Sequence, residues 1–328
     1  MALLELHDLA VSAGRRRPLL ERITLTVDSG EALGLVGESG SGKSLTARAI
    51  LKVFPNNSQV SGRVTFDGDS VLDMDASALQ RYRRTQVAMI FQDPFAAINP
   101  LRSIGDFLAE GLRVSQGLNR RAAEERAVQL LDSVGISRAR TRLRHFPHEF
   151  SGGMLQRVMI AGALGSGARL ILADEPTTAL DVSIQAEVVL LLDELRKEND
   201  LALLFITHDL DLAVAICDRI AVMYAGRVVE DRPAVQLYDQ PRHPYTAALI
   251  GCRPAVDERV DRLASIPGNP VSAATAPNGC SFNERCSHAV DLCRLELPDL
   301  TAEADGRVRC HRSVELAETL VSGRRWTA

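Results

Sequence analysis

Nowhere in these 328 residues does an apolar run approach the ~20 residues that a membrane-spanning helix needs. The most apolar windows, "ARLILADEP" and "LALLFITHD", are strand-length and run into acidic residues or histidine. Basic excess is missing too. Lys and Arg number 38 against 42 Asp and Glu, a net charge of −4, which removes the electrostatic case for nucleic acid as the main ligand. The arginines at Arg15–Arg17 and at Arg81, Arg83 and Arg84 read as solvated faces or local anion contacts. The opening stretch "MALLELHDLAV" carries acids early and no basic segment, so it does not read as a signal peptide, and a cytoplasmic chain is expected. Cysteine is scarce, six in all, and a reducing compartment disfavours disulfides as their use.

What remains is an ordinary globular composition, 46% hydrophobic and 24% charged, with length for one large domain and a smaller appendage. Up to about residue 235, short apolar runs alternate with amphipathic stretches. Strands are expected near 3–9, 23–27, 32–36, 87–91, 170–173, 203–207, 220–223 and 227–229. Helices are expected near 44–53, 120–134, 153–164, 183–197 and 210–216. Such alternation argues for an α/β layered domain with a largely parallel sheet. Beyond Pro233 the chain is punctuated by Pro241, Pro244, Pro254, Pro267, Pro270 and Pro277, so a boundary is expected near 235 with a small irregular domain, 236–328, after it.

"LGLVGESGSGKSLTARAIL" sets Gly37-x-x-x-x-Gly42-Lys43-Ser44 between a strand-like and a helix-like run, which is the context a phosphate loop needs. Across Gly37, Glu38, Ser39, Gly40, Ser41 and Gly42, glycines let backbone N–H groups turn toward phosphate oxygens, and the next helix offers its positive end. Lys43 is expected on the β- and γ-phosphates and Ser44 on Mg²⁺. In "RLILADEPTTALD" a buried strand ends in Asp174, suited to organising Mg²⁺, and Glu175, suited to polarising the attacking water. An Asn-Lys-x-Asp guanine reader is absent. Instead "FSGGMLQRVMIAGAL" puts Ser151, Gly152 and Gly153 at a helix start, a second anion site that suggests service to a neighbouring subunit's nucleotide.

On these motifs residues 1–235 resemble the ATP-binding cassette ATPases. "GESGSGKS" resembles their Walker A and "LILADE" their Walker B, while "FSGGM" resembles the LSGGQ signature but departs from it at Phe150 and Met154. Gln92 matches the Q-loop, Asp181 the D-loop and His208 the switch histidine. The resemblance implies a RecA-like core with a helical subdomain and an ATP sandwich of two head-to-tail cassettes. In it Gln92 joins Ser44 and Asp174 at Mg²⁺, Glu175 and His208 are catalytic, and Ser151 to Met154 serve the partner's ATP. One departure concerns adenine. The family stacks it on an aromatic residue, expected here around Val11–Ala13, but no aromatic precedes Phe54; an arginine among Arg15–Arg17 could stack instead.

"PRHPYTAALI" and a cysteine-bearing tail resemble the C-terminal extension of oligopeptide and dipeptide importer ATPases, while "EFSGGMLQRVMIA" resembles nickel importers about as well. Membership implies a second, related ATPase chain, two membrane-spanning permease subunits, a solute-binding protein, and a seat on the cytoplasmic face of the membrane. A soluble cassette ATPase working on DNA or ribosomes is the competing class; the long coiled-coil insertion or second cassette typical of those proteins is absent. Cys280, Cys286, Cys293 and Cys310 follow spacings x5, x6 and x16. Zinc knuckles usually bring cysteines two to four residues apart, so a [4Fe–4S] cluster is expected ahead of Zn²⁺, as the resemblance to peptide importers also implies.

Overall fold

The structure is a computed structural model that describes residues 2–14, 17–178, 180–252, 265–303 and 305–322. Its strands, in chain order, are β1 (Ala2–Ala13), β2 (Arg17–Asp28), β3 (Ala32–Val36), β4 (Ser58–Phe66), β5 (Asp69–Ser70) and β6 (Val87–Ile90). They continue with β7 (Leu170–Asp174), β8 (Ala202–Thr207), β9 (Arg219–Tyr224), β10 (Arg227–Pro233), β11 (Thr301–Glu303) and β12 (Gly306–Val308). The chain divides into two compact units: Met1–Leu4 with Val27–Ala32 and Phe66–Ile206, and Glu5–Thr26 with Leu33–Thr65 and Thr207–Ala328.

In the first unit β6, β7 and β8 run parallel, with Ile90 opposite Ala173 and Asp174 opposite Ile206. β7 and β8 are buried along their whole length, which is why they read as unbroken apolar runs rather than as alternation. Helix Gly152–Gly165 packs against helices Ile104–Gln116 and Arg120–Ser133, where Gly162 and Gly165 meet the buried Leu108, Leu112 and Leu130. Helix Val182–Glu198 lies against the same central helix. Helix Ile104–Gln116 opens on Ser103, whose hydroxyl accepts from the Asp106 N–H at 3.1 Å, and closes on Gly117 at φ 68.

In the second unit β3 pairs parallel with β9, Val36 opposite Val222. β9 turns into β10 through Ala225 (φ 47) and Gly226 (φ 73), the left-handed pair that a two-residue hairpin requires. The tail continues this sheet: β12 pairs antiparallel with β10, Glu230 opposite Val308, and β11 pairs with β12. Charges lock the added strands in place. Arg232, fully buried, donates to the Gln240 carbonyl and the Asp305 carboxylate, while Asp231 accepts from Arg219 at 2.8 Å and from Arg307. The buried Glu230 carboxylate caps the next turn, accepting from the N–H groups of Arg242 and His243 at 2.9 Å each. Residues beyond 235 are thus short pieces, as expected, but they carry strands of the same sheet as β9 and β10.

Candidate nucleotide site and thiol module

The phosphate loop rises from β3, every residue of which is buried, and hands over to helix Lys43–Ile50. Gly37 sits at φ 152, where a Cβ would stand 2.2 Å from the Met223 carbonyl oxygen, so no other residue fits. Ser39 and Gly40 are exposed and Ser41 is buried. Lys43 is only 4% exposed, its ammonium donating to the carbonyls of Gly37 at 2.7 Å and Glu38 at 3.1 Å. Ser44 follows in the first turn, which carries no acidic residue to offset the positive helix end. His208, in the same unit, is exposed just past β8. Asp209 behind it caps helix Leu210–Ile216 by accepting from the Asp211 and Leu212 N–H groups.

In the first unit, Asp174 ends β7 at 6% exposure and Glu175 follows in a left-handed conformation, φ 46. Two groups converge on the Glu175 carboxylate: the Thr178 hydroxyl donates to Oε2 at 2.8 Å and the Gln92 amide at 3.4 Å. Two residues expected in one catalytic centre, Gln92 and Glu175, therefore meet there, joined by Thr178, which the sequence reading does not single out. Ser151 caps helix Gly152–Gly165, its hydroxyl accepting from the Met154 N–H at 3.3 Å. Gly153 is needed for close approach, since a Cβ would meet Ile184 Cγ2 at 2.6 Å. Ser151, Gly152, Gly153, Met154 and Asp181 line one open groove of about 630 Å³, with Arg157 at its wall. Asp181 stands at the N-cap of helix Val182–Glu198 without a side-chain capping bond.

Around the position expected to hold adenine, a groove of about 400 Å³ is lined by Val11, Ser12, Pro18, Leu20, Gln59 and Val60, with no aromatic ring. The stacking arginines proposed from sequence, Arg15 and Arg16, lie outside the described residues, as does the side chain of Arg17.

The tail brings its four cysteines to one small cavity, about 20 Å³, together with His243, His288 and His311. Cys293 is buried and the other three are half-buried, all as free thiols. Burial pushes the Cys286 thiol up to about 11 and Cys310 up to about 12, the neighbouring thiols adding to it and backbone N–H groups opposing it. The Arg312 N–H donates to Cys310 Sγ at 3.4 Å. Among the described residues, no group of three or more His, Cys, Asp or Glu is arranged as a metal-ligand set. The expected cluster or zinc therefore has its four sulfurs around one cavity, but not a formed ligand cage.

One contact was not foreseen. Glu38, inside the phosphate loop, is gripped by Arg285 and Tyr245 from the tail. Arg285 stands beside Cys286 in sequence, and only its place next to a singled-out cysteine hinted at a role.

A strand–glycine loop–helix cradle, an Asp–Glu strand end and a Gly-Gly helix cap define the class: a P-loop ATPase of cassette type. Comparison with known proteins takes this further. The ABC transporter family profile matches residues 20–178, and that of the oligopeptide/dipeptide transporter C-terminal region matches 229–293. The oligopeptide transport ATP-binding protein OppD of Salmonella typhimurium is 43% identical over 95% of this chain and 94% of its own. The dipeptide transport ATP-binding protein DppD of Escherichia coli is 43% identical over 95% and 97%. Among solved structures, cbiO1 of Clostridium perfringens, part of the ABC transporter complex cbiONQ, superposes with a TM-score of 0.64 at 26% identity, covering 72% of this chain and 90% of its own. The dimeric cassette MJ0796 bound to ADP and Pi gives 0.62 at 26%, covering 70% and 98%. The chain belongs to the ATP-binding cassette transporter family, and its activity is ATP hydrolysis coupled to transport. The nickel reading draws no support from these relatives.

Proposed function

We propose that this chain is the ATP-hydrolysing subunit of an importer of di- and oligopeptides, with the ATPase in residues 1–235 and an importer-type extension in 236–328. The observation that carries the substrate class is 43% identity, over nearly the whole chain, to proteins named for oligopeptide and dipeptide transport. The match of 229–293 to the C-terminal profile supports both the boundary and the branch.

The site acts through its own residues. The loop's N–H groups and Lys43 hold the β- and γ-phosphates; Ser44, Gln92 and Asp174 supply oxygen ligands for Mg²⁺, which when bound neutralises phosphate charge. The Glu175 carboxylate, oriented by Thr178 and Gln92, takes the proton of the attacking water, and His208 orients that water. Ser151, Gly152, Gly153 and Met154, with Asp181, complete the nucleotide site of a second cassette subunit, a related and different chain. Two permease subunits and a solute-binding protein complete the importer. The permeases hold the chain at the cytoplasmic face; no helix among the described residues is long and apolar enough to cross a membrane.

The thiol module is the seat of a [4Fe–4S] cluster, with Zn²⁺ as the other occupant its donors suit. Four sulfurs around one cavity and an N–H···S bond to Cys310 support the sulfur-rich group. Its contribution is to cross-link a segment too short to bury a core of its own.

The test is the assembled transporter in liposomes. Di- or oligopeptide with its binding protein should stimulate ATP hydrolysis severalfold, and Ni²⁺ or its chelates should not. Stimulation by the metal alone would overturn the substrate assignment.

A further inference from the structure

Glu38 is an acid in the middle of an anion site. It occupies the second position of the phosphate loop, one residue past Gly37, and its carbonyl is one of the two that hold Lys43. Left alone, its carboxylate would oppose the triphosphate that the loop is built to receive.

The second unit answers that charge from far along the chain. Arg285 donates from Nη1 to Glu38 Oε2 at 2.7 Å and from Nη2 to Oε1 at 3.0 Å, a two-pronged pair in which the arginine side chain is 5% exposed and the glutamate 22%. Its Nε donates to the Pro267 carbonyl at 2.8 Å, and Nη1 also donates to the Tyr224 hydroxyl at 3.3 Å. The guanidinium also lies 5.7 Å from the Tyr224 ring centre and 5.8 Å from that of Phe282. Those rings and Tyr245 form one cluster, with centroids 4.6 to 5.3 Å apart. From it the Tyr245 hydroxyl accepts the Glu38 backbone N–H at 2.9 Å. Side chain, N–H and carbonyl of Glu38 are thus all engaged, the first two by residues beyond 240. Packing alone would be served by an apolar residue in place of Arg285; a fork matched to one carboxylate is a device for charge and direction.

We infer that Arg285 is a positioning residue for ATP binding: it holds Glu38 in a fixed orientation and cancels its charge, so that the loop presents a net positive face to the phosphates. The proposal rests on the phosphate-loop reading of residues 37–44 and is independent of what the cysteines hold.

The experiment is titration calorimetry of MgATP into the full-length chain, with thermal unfolding of the nucleotide-free chain as a folding control. Arg285→Ala should weaken binding about tenfold, because a carboxylate is left uncancelled beside the phosphates. Glu38→Gln sets the reference level, and the double variant should return to it, since the offending charge is gone. In the assembled transporter, Arg285→Ala should raise KM for ATP with kcat changed by less than about twofold, and Arg285→Lys, which restores the charge without the fork, should recover only part of the loss. If Arg285→Ala does not fold, Arg285→Gln is read in the same way. Parent affinity in the alanine variant, or a double variant as weak as Arg285→Ala, overturns the proposal. Parent affinity in Lys43→Ala would instead overturn the phosphate-loop reading beneath it.

Discussion

The side-chain amide of Gln92 stands 3.4 Å from the carboxylate of Glu175, and the Thr178 hydroxyl donates to the same oxygen at 2.8 Å. A residue 83 positions away along the chain therefore meets the acid proposed as the general base. Glu175→Gln keeps the shape of this arrangement and removes the proton acceptor. Hydrolysis by the assembled transporter should fall by about 10²- to 10⁴-fold while MgATP affinity stays within about threefold. Phosphate release and nucleotide binding measured on the same preparation check it; hydrolysis at the parent rate would remove Glu175 from the mechanism.

Lys43→Ala should act on the other quantity. Its ammonium is the loop's positive charge, held by the Gly37 and Glu38 carbonyls. MgATP affinity should drop at least about tenfold, by calorimetry, with the unfolding temperature of the nucleotide-free chain little changed.

Gly153→Val should separate binding from turnover. The added side chain would press on Ile184 and displace the Ser151-capped helix start, leaving the phosphate loop untouched. MgATP binding by the isolated chain should match the parent, whereas hydrolysis by the paired cassettes should fall at least about tenfold. A parallel loss of binding would place the signature loop in the wrong role.

For the thiol module, anaerobically purified parent should be brown, absorb broadly near ~400 nm and carry about four irons per chain. Cys286→Ser should lose the colour and the iron, with MgATP affinity falling by no more than in Arg285→Ala. Colourless protein with one zinc per chain would decide for the other occupant.

Much of the ATPase was legible because its chemistry is local. The phosphate loop lies within eight consecutive residues, and β3, β7 and β8 are buried strands that betray themselves as apolar runs. Elements that bury little were passed over. In β4 only Val64 and Phe66 are buried, and helix Ala76–Thr85 buries only Tyr82. Helix Ile104–Gln116 lies outside the expected elements although Ser103 and Gly117 are cap signals at both its ends. Expected helix and strand ends otherwise fall within four residues of those observed, as for 183–197 against Val182–Glu198, except that β2 starts at Arg17, six residues before the expected 23. The grip of Arg285 on Glu38 was beyond reach, since nothing local ties residues 247 apart. The pairing of β12 with β10 was hidden for the same reason, in a stretch whose prolines suggested only irregularity.

That pairing sets an order of events during synthesis. The phosphate loop leaves the ribosome early, yet Arg285 follows 247 residues behind Glu38, and β12, the strand that covers β10, is made later still. Until then Arg232 lacks Asp305, and the β10 edge is open to any extended chain nearby. A nascent chain therefore carries its nucleotide cradle without the Arg285 clamp on Glu38 until that later stretch has been made.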